Sequence, residues 1–198
     1  MSQQPEWVLG FVDEVWWSRL VQPNLHTWAG PQAELRLLEK QLPPDDADPK
    51  AVACYGVLLR GAVRLPEKVW VRFATGQPVS DLTTQFLMWC CTKLTAAGIR
   101  VWVLIWDNAS WHTSKQVRTW IRDHNRTVKQ TGQGVRIVAG YLPTKSPWLN
   151  PIEPKWIHGK RAVLEPERVL PADELEARIY AYYRCPPEAH LVLPDKAT

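Results

Sequence analysis

Three carboxylates stand where apolar segments are interrupted or end. Asp13 falls inside the run Trp7-Val-Leu-Gly-Phe-Val-Asp-Glu-Val-Trp-Trp17, Asp107 closes Val101-Trp-Val-Leu-Ile-Trp106, and Glu153 follows a proline-rich loop. An ionised carboxylate inside a buried strand is costly unless something compensates it, such as a cation. If the strands carrying Asp13 and Asp107 are neighbours, both acids open onto one crevice, and the later loop can swing Glu153 over it. Three acids so placed would repel one another and shift their pKa values upward, a conflict that divalent ions resolve. Magnesium prefers few carboxylates, several waters and phosphate oxygens. Two such ions can hold the attacking and leaving oxygens of an in-line phosphoryl displacement. Spacing alone is weakly specific: Asp107 also suits a turn or a helix cap, and Asp13 also suits a strand end facing water.

The elements that must position these acids can be read from hydrophobic pattern. The six apolar residues 101–106 predict a central parallel strand buried on both faces, with Asp107 at its carboxyl end, where open α/β sheets place ligands. Thr113-Ser114-Lys115-Gln116 predicts a capping box, opening a helix to about Asn125 that buries Val117, Trp120 and Ile121. Residues 7–17 predict a second central strand and 51–60 another; 69–73 alternate apolar and basic like an edge strand. Ser80 is expected to cap a helix from Asp81 to about Ala97, with Leu82, Phe86, Cys90 and Leu94 on one face and Gly98 ending it.

Residues 135–142 predict the last strand. Four prolines in residues 143–154 make a stiff loop, and Asn150 is expected to cap a helix with Pro151 at its first position and Glu153 in its first turn. A final helix over 172–183 should turn Leu175, Ile179 and Tyr182 inward. Between residues 18 and 50, His26-Thr27-Trp28, Gly30-Pro31, a Leu-rich stretch at 35–42 and an acidic Pro-rich segment predict a strand, a turn, a short strand or helix and an exposed acidic loop. The order of elements implies a mixed sheet, first a meander and then parallel strands with helical crossovers.

With 198 residues, 45% hydrophobic and 22% charged, the chain is long enough for one domain with a real core and is not disordered. A net charge of +4 allows a polyanionic partner without requiring one. Twelve tryptophans suit cores and stacking surfaces alike. Cys54, Cys90, Cys91 and Cys185 form no CxxC pair, and neither a secretory signal nor a long apolar span is evident. They read as reduced, mostly buried thiols of an intracellular protein, which argues against a disulfide or metal framework.

Asp13-Glu14 after an apolar strand, Asp107-Asn108-Ala109-Ser110-Trp111-His112, and Tyr141-Leu142-Pro143 through Ser146-Pro147-Trp148-Leu149-Asn150-Pro151-Ile152-Glu153-Pro154-Lys155-Trp156 occur in that order. Together they resemble the DDE endonuclease domain of insertion-sequence transposases of the mariner superfamily, closest to the bacterial insertion-sequence-630 branch, over about residues 6–183. The third motif is long and highly specific, the second good, the first short. The resemblance implies an α/β, ribonuclease H-like fold: a mixed five-stranded sheet flanked by helices. It also implies Mg²⁺-dependent DNA cleavage at the ends of a mobile element and strand transfer into target DNA, with Mn²⁺ able to substitute.

Carried over by motif, Asp13, Asp107 and Glu153 are the metal-binding, catalytic triad. Asn108 and His112 would position the loop or touch DNA, and a hydrogen bond at the start of the helix is the plainer reading for His112. Lys145, Lys155, Lys160 and Arg161 match basic positions near the third motif, as phosphate contacts or as solvated surface charge. Asn150 belongs to the same motif. Trp148 would stack on a flipped base or plug the loop by core packing. The implied partners are transposon-end and target DNA and a second copy of the chain, in the bacterial cytoplasm at the nucleoid. Family members normally carry helix-turn-helix modules ahead of the catalytic domain. Residues 1–198 read as a single catalytic domain without them, a truncated chain or the product of a split gene whose recognition part is a separate subunit. The stretch 31–50 aligns poorly and suits an insertion used for dimer contacts. A catalytically silent remnant that dimerises with an intact transposase is the alternative, as is a stand-alone nuclease acting on RNA–DNA hybrids or branched DNA.

Overall fold

β1 (Trp7–Ser18) is the strand from which the sheet is built outward. Its apolar residues face both layers, and its backbone is hydrogen-bonded on both edges. On one side β2 (Ala51–Arg60) pairs with it antiparallel, followed by β3 (Lys68–Ala74), also antiparallel. On the other side β4 (Val101–Trp106) and then β5 (Arg136–Tyr141) run parallel to it. The order is β3-β2-β1-β4-β5, a mixed five-stranded sheet of meander and parallel strands as the element order predicts. This is a computed structural model, and it describes residues 4–20, 40–61, 63, 65–165 and 168–193. The elements expected around His26–Trp28, Gly30–Pro31 and residues 35–39 lie outside the described residues.

Helices cover the two faces unequally. α1 (Ser80–Ala96) and α2 (Lys115–Thr131) lie on one face, where Val12, Tyr55, Leu82, Phe86, Leu94, Trp102, Leu104, Trp106 and Val117 form one core. α3 (Glu153–Val163) and α4 (Ala172–Tyr183) lie on the other, with Trp17, Leu58, Phe73, Trp156, Ile179 and Tyr183. The second layer covers mainly β1, β2 and β3. Val101, Val103 and Ile105 are therefore only half-buried, and β4 is not sealed on both faces as its unbroken apolar run predicts.

Several boundaries differ from expectation for local reasons. Ser80 does not cap α1: Val79 takes that position, and the Ser80 hydroxyl instead donates to Ser114 Oγ at 2.9 Å. Ser114 does cap α2, its hydroxyl oxygen accepting from Val117 N at 3.1 Å. α2 runs on to Thr131, where Gly132 in the left-handed region ends it. In α4, Tyr180 and Tyr183 turn inward, whereas Tyr182 is exposed. The acidic loop is exposed as expected, and Asp46 ties it to the fold. Arg19, 2% exposed, makes a two-pronged contact with Asp46 at 2.9 and 2.6 Å and donates to Leu170 O at 2.6 Å. All four cysteines are free thiols. No helix among the described residues is long and apolar enough to cross a membrane.

Candidate active site

Strand register brings the first two acids together. β1 and β4 pair from Trp7–Val101 to Phe11–Ile105. Two residues further along each chain, on the same face of the sheet, come Asp13 and Asp107. Neighbouring strands lie about 4.8 Å apart, so the two carboxylates are set side by side. β1 continues as a strand through Asp13, which stands opposite Gly56 of β2. β4 stops at Trp106 and leaves Asp107 at its carboxyl end. Glu153 is the first residue of α3. Asp13, Asp107 and Glu153 line one cleft of about 320 Å³, together with Asn108, Lys145, Pro147 and Asn150.

The helix carrying Glu153 is fixed by tryptophan and glycine. Trp156 is buried against β2 where Gly56 has no side chain, and any Cβ there would collide with the indole. The ring nitrogen donates to Asp13 Oδ2 at 2.9 Å. One turn on, Gly159 lets α3 approach Trp17 and Tyr183. Asn150 is buried; its amide donates to Val12 O at 3.5 Å and its carbonyl accepts from Ile152 N at 3.4 Å. Asn150 thus anchors the loop beside Asp13. The helix begins two residues after Pro151, with Ile152 as its cap residue.

The charges are not equivalent. Burial, then Glu153 and Glu14, push Asp13 up to about 7, against the Trp156 hydrogen bond. Burial also raises Glu153, opposed by Lys160. Lys160 is lowered by burial while Glu153 and Asp13 favour its charge, so this lysine sits among the acids. Asp107 goes the other way. The hydrogen bond from His112 holds it below the ordinary carboxylate range, contrary to the expectation that all three would rise.

His112 is fully buried. Its Nδ1 lies 2.7 Å from Asp107 Oδ1 and its Nε2 lies 3.0 Å from Glu14 Oε1, and it stacks on Trp106 at 4.5 Å. Burial opposes its charge, but Glu14 and Asp107 outweigh it and raise the imidazole to about 9. Trp111 Nε1 donates to the other Glu14 oxygen at 3.1 Å. His112 therefore offers no surface to DNA; it orients Asp107.

The remaining candidates divide between scaffold and surface. Asn108 donates to Leu142 O at 2.6 Å and joins the loops after β4 and β5. Lys155 is engaged with Glu67 at 3.0 Å. Lys145 is exposed at the cleft wall in the left-handed region, and Arg161 is exposed on α3. Trp148 is 75% exposed, so it does not plug the core. Sequence alone does not mark Glu14, Trp111, Gly56 or Trp156 as site residues. The available signal was the adjacent pair Asp13-Glu14, since successive strand residues point to opposite faces and both acids needed partners.

Among the described residues, no three Asp, Glu, His or Cys side chains close around one point as a cage. The donor set nevertheless fits a divalent ion. It consists of hard carboxylate oxygens, two of them on acids held above their ordinary pKa, lining a cleft with room for water. Magnesium asks for few protein ligands and retains its waters.

A family model described as DDE superfamily endonuclease matches residues 53–176, more than half of the chain. The chain belongs to the DDE superfamily endonucleases. The matched span contains Asp107 and Glu153, while Asp13 lies outside it and joins them through the sheet register. No curated protein matches. Among solved structures, the Mos1 transposase paired-end complex with left transposon end matches with a TM-score of 0.56 and 15% identity, covering 91% of this chain and 48% of that one. The Mos1 mariner paired-end complex with Mn matches with a TM-score of 0.57 and 14% identity, covering 90% and 48%. A pre-cleavage Mos1 transpososome matches with a TM-score of 0.56 and 11% identity, covering 92% and 49%. This DDE domain thus spans about half the length of the transposase chains it resembles. It shares their ribonuclease H-like fold.

Proposed function

We propose that this DDE domain is the catalytic part of a transposase, cutting DNA at the ends of a mobile element and joining the freed 3′-hydroxyl to target DNA. The observation that carries the reading is the register that sets Asp13 beside Asp107, with Glu153 on the same cleft. Asp13, Asp107 and Glu153 would hold Mg²⁺ or Mn²⁺, which supplies an activated water and neutralises charge on the phosphodiester. His112 keeps Asp107 ionised and fixed in direction. Trp156 fixes one oxygen of Asp13 in direction and favours its charged form, though burial still outweighs that hydrogen bond. Lys160 tempers the repulsion between Asp13 and Glu153. Lys145, exposed on the cleft wall, and Arg161, exposed on α3, would contact phosphates, and Trp148 would stack on an unpaired base. The reading carries with it a dimer as the active form and a helix-turn-helix module for end recognition.

The test is nicking of supercoiled plasmid with Mn²⁺ or Mg²⁺, followed by transfer of a pre-cut 3′-hydroxyl oligonucleotide. Wild-type protein should do both, and Asp107→Asn should do neither. Activity that survives Asp107→Asn, or that needs no divalent ion, would overturn the assignment.

A further inference from the structure

The solvent face of α2 carries Lys115, Arg118, Arg122, Arg126 and Lys129 at steps of three and four residues, so the five cations stack along one side of the helix. All five are exposed. The opposite side is committed to the fold. Val117 and Ile121 are buried, His124 Nε2 contacts Val135 O at 2.8 Å, and Asn125 both donates to Ile137 O and accepts from Ile137 N. Asp123 is the one acid in α2; it lies 3.6 Å from Arg122 and 3.3 Å from Arg126. Such exposed pairs are worth little. Five cations against one carboxylate leave this helix at +4, the same as the whole 198-residue chain. Charges elsewhere cancel, so the imbalance of the molecule is concentrated on this ridge. Arg136 of β5 extends it, lining a shallow hollow with Arg122, Asn125, Arg126 and Lys129.

The isolated domain gains nothing from this arrangement. Like charges one turn apart disfavour the helix. Lys115 and Arg118 also stand at the positive end of the helix dipole, in a first turn without acids. A polyanion along the ridge would reverse both effects. From Lys115 to Lys129 the helix rises about 21 Å, the length of roughly six base-pair steps of duplex. The ridge also starts at the right place: Ser114, which caps α2, is two residues beyond His112, the partner of Asp107.

We infer that the exposed face of α2 is a second contact surface for duplex DNA, gripping the phosphate backbone where the duplex leaves the carboxylate cleft. The inference rests on the transposase reading. Because the contacts are to phosphates, the ridge holds DNA without sequence preference.

The experiment uses the full chain without metal, a fluorescent duplex of arbitrary sequence, and anisotropy titrations at several salt concentrations. The triple variant Arg118→Gln, Arg122→Gln, Arg126→Gln removes charge but no buried contact. It should weaken duplex binding about tenfold or more and reduce the salt slope by between two and three, since each phosphate contact contributes about 0.9. Its melting temperature should be no lower than wild type, since like charges on one helix face are removed, and its melting shift with Mn²⁺ should match wild type. An unchanged affinity and slope would overturn the inference and leave the transposase reading standing. So would a wild-type chain that nicks plasmid with Mn²⁺ yet shows no salt-dependent duplex binding. A wild-type chain that neither binds duplex nor nicks plasmid would remove both.

Discussion

Trp156 and Asp13, 143 residues apart, share a hydrogen bond of 2.9 Å from the indole nitrogen to a carboxylate oxygen. It ties the helix that begins with Glu153 to the strand that carries Asp13. Trp156→Phe keeps an aromatic ring in the site but removes the donor and part of the packing over Gly56, so Asp13 should hold its proton to higher pH. A hydrogen bond to a charged group is worth about 1.5–3 kcal/mol. The acidic limb of the nicking pH profile should therefore move up by about one unit or more. A profile that keeps its position while the maximum rate falls would show that the indole acts only by packing.

Gly56→Val tests the space that admits the indole. The added side chain would displace Trp156, and overpacking of this kind costs about 1–3 kcal/mol. Urea unfolding should show that loss, and nicking should fall even at temperatures where the variant is folded. A fully active, fully stable Gly56→Val would mean that α3 is seated by other contacts.

Asp13 and His112 predict the pH dependence of stability in the metal-free protein. Asp13 keeps its proton up to about 7 in the fold, against its ordinary 3.8. The folded state therefore binds more protons than the unfolded one in that window, and stability falls as pH rises through it. His112 is charged up to about 9, against its ordinary 6.5. Its contribution is complete below 6.5 and is lost as pH rises to 9. Melting temperature should therefore decline from about pH 4 to 9 for these two groups. Asp13→Asn should remove the lower part of the decline and raise the melting temperature at pH 8, while abolishing nicking. A melting temperature for Asp13→Asn at or below wild type at pH 8 would refute this.

Divalent ions should act most strongly where Asp13 has lost its proton. Mn²⁺ at millimolar concentration should raise the melting temperature more at pH 8 than at pH 5.5, because the ion replaces that proton. Chelation should restore the metal-free value. An equal shift at both pH values would place the ion away from Asp13.

His112→Ala should be damaging out of proportion to its size. It leaves Glu14, with a side chain only 8% exposed, without its cation. Removing one partner of a buried pair costs about 3–5 kcal/mol. His112→Ala with Glu14→Gln should recover much of that stability but not the nicking, because Asp107 would still lack its orienting partner. Recovery of both would restrict His112 to a structural role.

Much of the framework was legible from residue order alone. Long apolar runs named the strands because a polar side chain buried in the sheet loses its water without gaining a partner, and four-residue steps such as Leu82, Phe86, Cys90 and Leu94 named the inner face of α1. The acids Asp13, Asp107 and Glu153 could be picked out because each breaks an apolar segment or opens a helix. What the chain order could not carry was partnership across the sheet. Only the β1–β4 register set Asp13 beside Asp107, and only the glycine at 56 opened the space that brings Trp156 to Asp13. His112 shows the limit most clearly. Its place near Asp107 was evident, but whether it faced DNA, metal or protein depended on Glu14, 98 residues away on β1. A side chain's protonation and direction are set by whatever surrounds it in space, and that neighbourhood exists only once the layers have packed.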